Sequence, residues 1–248
     1  MLTRDILHNK SVVVSVFKDA KYNTVPPYHP QRLYPEYPFG EKNINTGDDG
    51  NPDAYESTRE IFRMLEYDKE HYDTKEWNPL GVIIKQGQNV VIKPNFVLHL
   101  NEGGYDIFAN LTHPSVIRAL IDYTYIALKG QGTITIAEAP QMDCEFEVIE
   151  QIMHLQAIVD FYNQTLNFPI TILDIRRLKC KRDPVKKYYP AESFIYNDNA
   201  DPQGYAIVNL GSLSMLDELD GIDGLYGSDY DRSFTSENHH KGVHRYCI

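Results

Sequence analysis

The first apolar run, residues 11–17, is Ser11, three valines, Ser15, Val16 and Phe17. Its shortness and β-branched content predict a buried strand rather than a helix. From Lys18 to Gly50 the pattern dissolves into Pro26, Pro27, Pro30, Pro35 and Pro38 among tyrosines and phenylalanines. Repeated prolines remove ladder donors, so this is a long irregular excursion that covers something. Next, Ser57-Thr58-Arg59-Glu60 has capping-box spacing and is followed by Ile61, Met64 and Leu65, which predicts a helix over 58–71.

The remainder is more regular. Asn89-Val90-Val91-Ile92 reads as a strand stopped by Pro94. Thr112-His113-Pro114 opens a helix whose Ile117, Leu120, Ile121, Thr124 and Leu128 share one face, with Gly130 and Gly132 ending it. Thr133 to Ala137 predicts a strand, Glu145 to about Leu155 a helix continuing toward Gln164, Ile170 to Ile175 a strand after Pro169, and Ala206 to Leu210 one more. Strands alternating with helices indicate an α/β fold: a single domain over 1–248 with a mainly parallel, Rossmann-like sheet, helices on both faces, and the Tyr/Pro-rich excursion near the N-terminus. The alternative is an α+β layout in which the excursion forms its own hairpin.

Composition narrows the classes. The 248 residues carry a formal charge of −11 and are 42% hydrophobic, with 18 tyrosines and 10 phenylalanines, enough for a packed core. The acidic excess argues against nucleic acid as partner. The longest apolar run is too short for a membrane span or a secretory core, so a cytoplasmic location is expected. Three separated cysteines, Cys144, Cys180 and Cys247, encode neither a disulfide framework nor a self-contained iron–sulfur cluster. There is no phosphate-binding P-loop and no nucleophile elbow, and Asp217 to Gly224 fails the calcium-loop register.

In open parallel sheets ligands settle outside the carboxyl ends of the strands. That rule selects Lys93 and Asn95 after one strand, Thr112 and His113 at the start of a helix whose free N–H groups favour an anion, and Glu138 after the next strand. Lys93, Asn95 and Thr112 are the expected binding groups for an anionic small molecule. His113 is the expected auxiliary proton donor or ligand, and Glu138 the base or metal ligand. His240, His244 and Cys247 are weaker candidates for a metal, because Gly242 interrupts any helix that would align the histidines. The basic run from Arg176 to Lys187 offers a surface for an acidic partner, and the tyrosines of 22–39 offer an aromatic platform for a polymer.

Lys93-Pro94-Asn95, Thr112-His113-Pro114, Glu138-Ala139-Pro140 and Gly242-Val243-His244-Arg245-Tyr246, in this order, resemble the uncharacterised family catalogued as domain of unknown function 362. The resemblance spans roughly residues 80–248, and against the family pattern residues 18–75, the Tyr/Pro-rich part near the N-terminus, look like an insertion covering the core. It implies an α/β protein of a family linked to ferredoxin-type iron–sulfur modules, and hence a non-catalytic accessory docking a ferredoxin-like protein as the alternative to an enzyme or enzyme part. Similar sequences continue beyond the Gly-x-His-Arg-Tyr step, so the resemblance implies a shortened member or the first part of a longer protein.

Overall fold

The computed structural model describes residues 11–45, 50–186, 188–197, 199–202, 204–209 and 243–247. The chain divides into two compact units, Met1–Ala137 with Glu145–Ile172, and Glu138–Cys144 with Leu173–Ile248.

Strands β1 (Asn89–Ile92), β2 (Thr133–Glu138) and β3 (Ile170–Asp174) form a three-stranded parallel sheet in the order β1-β2-β3. Asn89 is level with Thr133 and Ile92 with Ile136. Ile134 and Ile136 of the central strand are fully buried, whereas β1, at an edge, alternates and leaves Val91 63% exposed. Helix α2 (Pro114–Leu128) joins β1 to β2, and α3 (Phe146–Ile152) with α4 (Leu155–Leu166) joins β2 to β3. A dozen or more residues are what a parallel connection requires. Gly132 sets the entry to β2. Its φ is +95°, and a Cβ there would stand 2.1 Å from the Gln88 carbonyl oxygen that accepts the Thr133 N–H. Only glycine fits.

Several sequence expectations need correction. Residues 11–17 belong to no strand, because a β-branched run becomes one only beside a partner edge. Helix α1 spans Ala54–Met64 instead of 58–71. Asp53 caps it by accepting the Glu56 N–H at 2.8 Å, while Ser57 lies inside the helix and donates to the Asp53 carbonyl. The single helix expected from Glu145 breaks at His154, whose φ of 46° is left-handed. The expected C-terminal strand is β6 (Tyr205–Asn209). It pairs antiparallel with β7 (Val243–Cys247) in a ribbon of its own instead of extending the parallel sheet.

The Tyr/Pro segment supplies interior to the first unit. Tyr37 joins Tyr55, Phe62, Trp77, Ala119 and Tyr123 in one buried cluster. Asp53 binds the segment through its second carboxylate oxygen, which accepts the Gln31 N–H at 2.8 Å and the Asn23 amide at 3.0 Å. Two buried cations complete the attachment. Arg59 pairs with Glu36 at 2.8 Å and lies against the rings of Tyr34, Tyr72 and Trp77, and Glu36 also accepts the Tyr123 hydroxyl at 2.8 Å. Arg118 donates to Asp122 and to the Pro27 carbonyl, both at 2.8 Å, and lies 4.4 Å from the centre of the Phe161 ring. Both members of the Arg118–Asp122 pair are 0% exposed. With no solvent to screen them, such charges hold the segment wherever hydrogen bonds compensate their desolvation.

In the second unit, β4 (Leu178–Lys179) pairs antiparallel with β5 (Ile195–Tyr196). Among the described residues no helix is long and apolar enough to cross a membrane.

Candidate functional site

The site is built at the carboxyl end of β1. Lys93 follows the strand and is exposed, and Pro94, buried and without an N–H, ends the ladder. The chain then turns into a short stem. The Asn95 N–H donates to the Thr112 hydroxyl and the Thr112 N–H donates to the Asn95 carbonyl, each at 2.9 Å. Above this pair, Phe96 bridges Leu111 and the Val97 N–H donates to the Asn110 carbonyl at 3.1 Å. Phe96 and Leu111 are buried and pin the stem, while the Asn95 residue stays exposed.

Next in sequence, His113 is the N-cap of α2. Its Nδ1 accepts the Ser115 N–H at 3.2 Å and lies 2.8 Å from the Ser115 hydroxyl. A ring nitrogen that accepts from a backbone N–H carries no proton, so the proton is assigned to Nε2. Tyr22 stacks on the imidazole with centroids 4.1 Å apart and planes 5° from parallel. Phe108 lies at 4.4 Å and Tyr28 stands edge-on at 6.1 Å. Tyr28 is anchored by its hydroxyl, which donates to the Met153 carbonyl at 3.0 Å. Burial in this ring of aromatics pushes the imidazole pKa down to about 4, against a weak opposing pull from Asp106. His113 is therefore neutral at pH 7.

This geometry revises two expectations. The start of α2 does not offer free N–H groups to an anion: Pro114 has none, Ser115 donates to the His113 ring, and Val116 and Ile117 both donate to the His113 carbonyl. With so low a pKa, His113 is not a proton-donating acid at neutral pH, although the Nε2–H of a neutral imidazole remains a hydrogen-bond donor. The Thr112 hydroxyl accepts the backbone N–H of Asn95. The structure thus brings Asn95, Thr112 and His113 together in one unit, two residues beyond Lys93.

Glu138 belongs to the second compact unit. It is 3% exposed, its Oε1 accepts the N–H of the following residue, Ala139, at 2.8 Å, and its carbonyl accepts the Ile175 N–H. In that unit Arg176 organises the chain. It grips Asp174 through Nε and Nη2 at 2.9 and 2.7 Å, and its Nη1 donates to the carbonyls of Gln141 and Cys144, each at 2.7 Å. Burial raises the Asp174 carboxyl, but hydrogen bonds from Arg176 and Lys179 outweigh it and hold the pKa below its usual value. Two cations of the basic run therefore serve the interior, and Lys186 and Arg182 lie over the rings of Tyr188 and Tyr189. The surface charge available to an acidic partner is smaller than the sequence suggests. The tyrosine platform shrinks too: Tyr28 and Tyr37 are buried and Tyr34 stacks on Tyr55.

No group of three or more histidine, cysteine, aspartate or glutamate side chains suited to a metal occurs among the described residues. His240 lies outside the described residues, and His244 and Cys247 are described only as backbone in β7. An open depression of about 450 Å³ between α3 and α4, lined by Glu147, Glu150, Gln151 and His154, contains none of the expected site residues.

Two structural participants escape the sequence patterns. His99 caps α3 by accepting the Glu145 N–H at 3.0 Å, a pairing that no local spacing announces. The Arg118–Asp122 pair does have a signal, the i,i+4 spacing of opposite charges, but on a helix that pattern ordinarily marks a solvated face.

No family model, no curated protein and no solved structure matches this chain.

Proposed function

We propose that this protein binds an anionic small molecule at the carboxyl edge of its parallel sheet, with Lys93 supplying charge and Asn95 orientation. The three strands are read as part of a Rossmann-like sheet, in which ligands lie beyond the strand ends. The observation that carries the reading is the reciprocal Asn95–Thr112 bond pair. It fixes two exposed polar residues, Lys93 and Asn95, on a rigid stem directly before a capped helix. A lysine ammonium serves a phosphate or carboxylate as a point charge, and an asparagine amide, with both donors and acceptors, fixes the orientation of what it meets. Thr112 and His113 form the framework: the hydroxyl holds the stem and the neutral imidazole caps the helix without adding charge. In this reading Glu138 holds the turn after β2. Membership of the family catalogued as domain of unknown function 362 is part of the same proposal and rests on Lys93-Pro94-Asn95 and Thr112-His113-Pro114.

Calorimetric titration against a panel of phosphorylated and carboxylated metabolites tests the reading. A charge-assisted hydrogen bond contributes about 1.5–3 kcal/mol, so Lys93→Ala is expected to weaken binding by roughly 10- to 150-fold. Asn95→Ala is expected to weaken it several-fold. As exposed surface changes, both are expected to alter stability by no more than about 0.5 kcal/mol. A wild-type protein that binds nothing on the panel, or a Lys93→Ala protein that binds as tightly as wild type, overturns the proposal.

A further inference from the structure

Residues 12–17 are an anomaly in the first unit. They are apolar but for one serine and rich in β-branched side chains, yet none of their backbone N–H or C=O groups meets a partner among the described residues. Their exposure alternates in the manner of a strand. Val13, Ser15 and Phe17 are half-covered and the Ser15 hydroxyl is enclosed, whereas Val12, Val14 and Val16 are 87%, 69% and 84% exposed. One face rests on the molecule, and the other, with the backbone edge, is open. Such an edge is a template for another strand.

We propose that residues 11–17 pair antiparallel with the same residues of a second copy of this chain, about a two-fold axis at Val14. The sequence is close to self-complementary in that register. Val14 meets Val14, Val12 faces Val16, Val13 faces Ser15 and Ser11 faces Phe17. The three exposed valines of each copy fall on one face of the joint ribbon, where cross-strand β-branched pairs stabilise a sheet. A contact in which each copy presents the same patch closes on itself and does not propagate into a fibre. The segment offers no charged side chain to select a different partner. Its size sets the strength: seven residues a side against the roughly 20–30 a side of a standard interface makes this a weak dimer, populated only at high protein concentration.

Sedimentation over a range of concentrations, combined with cysteine cross-linking of the full chain, reads both the partner and the register. In the proposed ribbon the two Val14 Cα atoms are about 4.5–5.5 Å apart, within the range that a disulfide bridges. The two Val12 positions are separated along the strand by four residues, about 13 Å, which a disulfide cannot span. Mild oxidation of Val14→Cys is therefore expected to give a covalent dimer, and Val12→Cys several-fold less. The wild-type mass is expected to rise with concentration, while Val14→Lys, which sets two ammonium groups face to face, stays monomeric with an unchanged circular dichroism spectrum. Three results overturn the proposal: a wild-type mass that stays monomeric throughout; equal cross-linking of Val12→Cys and Val14→Cys; or amides of 12–17 protected from exchange in a monomer, which places the partner edge within the same chain.

Discussion

Replacing Arg118 by methionine is expected to remove about 3–5 kcal/mol of stability, a large share of the roughly 5–15 kcal/mol that a chain of ordinary stability has. The guanidinium is 0% exposed and donates to Asp122, to the Pro27 carbonyl and to the Tyr37 hydroxyl. Without it the Asp122 carboxylate stays buried with only the Tyr162 hydroxyl as donor, since Asp122 Oδ2 has no hydrogen-bond partner. The Tyr/Pro segment loses two of its links to α2 at the same time, those through the Pro27 carbonyl and the Tyr37 hydroxyl. If the loss arises from the orphaned charge, the double variant Arg118→Met, Asp122→Leu is expected to recover a substantial part of it, because an apolar replacement of a buried ion pair is often close to neutral. Urea unfolding followed by circular dichroism measures both proteins. A single-variant loss under about 1 kcal/mol contradicts the role given to this pair.

Stability is also expected to fall steeply on mild acidification. Burial pushes His113 to about 4, and burial together with the Arg118 charge pushes His29 to about 4, whereas an unfolded histidine titrates near about 6.5. Between those values the unfolded chain binds protons that the folded chain does not, so the stability conferred by the neutral rings is present above about pH 6.5 and is lost as the pH falls toward 4. Each histidine withdraws at most about 1.4 kcal/mol per pH unit in that window. Asp174, held below its ordinary value, adds to the loss where carboxylates protonate. Asp122 opposes it, because burial raises its carboxyl and lets the folded chain take up a proton first. Urea midpoints at pH 7.0, 5.5 and 4.5 are expected to decline in that order, with the largest steps from the histidines. Midpoints that do not move between pH 7.0 and 5.5 contradict the burial of these two rings.

The parallel sheet was legible in the sequence wherever its signals were contiguous. Asn89–Ile92 stops at Pro94, Pro114–Leu128 carries proline at its start and Gly130 beyond its end, and Thr133–Glu138 opens with four β-branched residues. Each is specified by neighbours along the chain. What depended on distant partners was not legible. Asp53 outcompetes Ser57 as the cap of α1 because it also binds Asn23 and Gln31, and residues 12–17 have strand composition but no adjoining edge among the described residues. The same holds at the site. The order Lys93, Asn95, Thr112, His113 could be picked out from strand ends, yet the role of His113 could not. The imidazole is made neutral by Tyr22 and Tyr28, which come from an irregular segment whose prolines suggested only a cover. A tyrosine-rich stretch without hydrophobic periodicity gives no indication that its rings and ions form interior. Here Tyr37, Glu36 and Asn23 are all buried.

The central claim is that the Tyr/Pro segment closes on the start of α2 and holds His113 as a neutral cap beside the Lys93–Asn95 edge. Titration of the His113 ring by NMR tests it most directly, with exposed His71, raised by Asp68, as an internal contrast. The account predicts an imidazole that remains neutral, protonated on Nε2, through pH 5 and half-titrates near pH 4. A His113 ring that titrates at the ordinary value of about 6.5, with both nitrogens open to solvent, contradicts it.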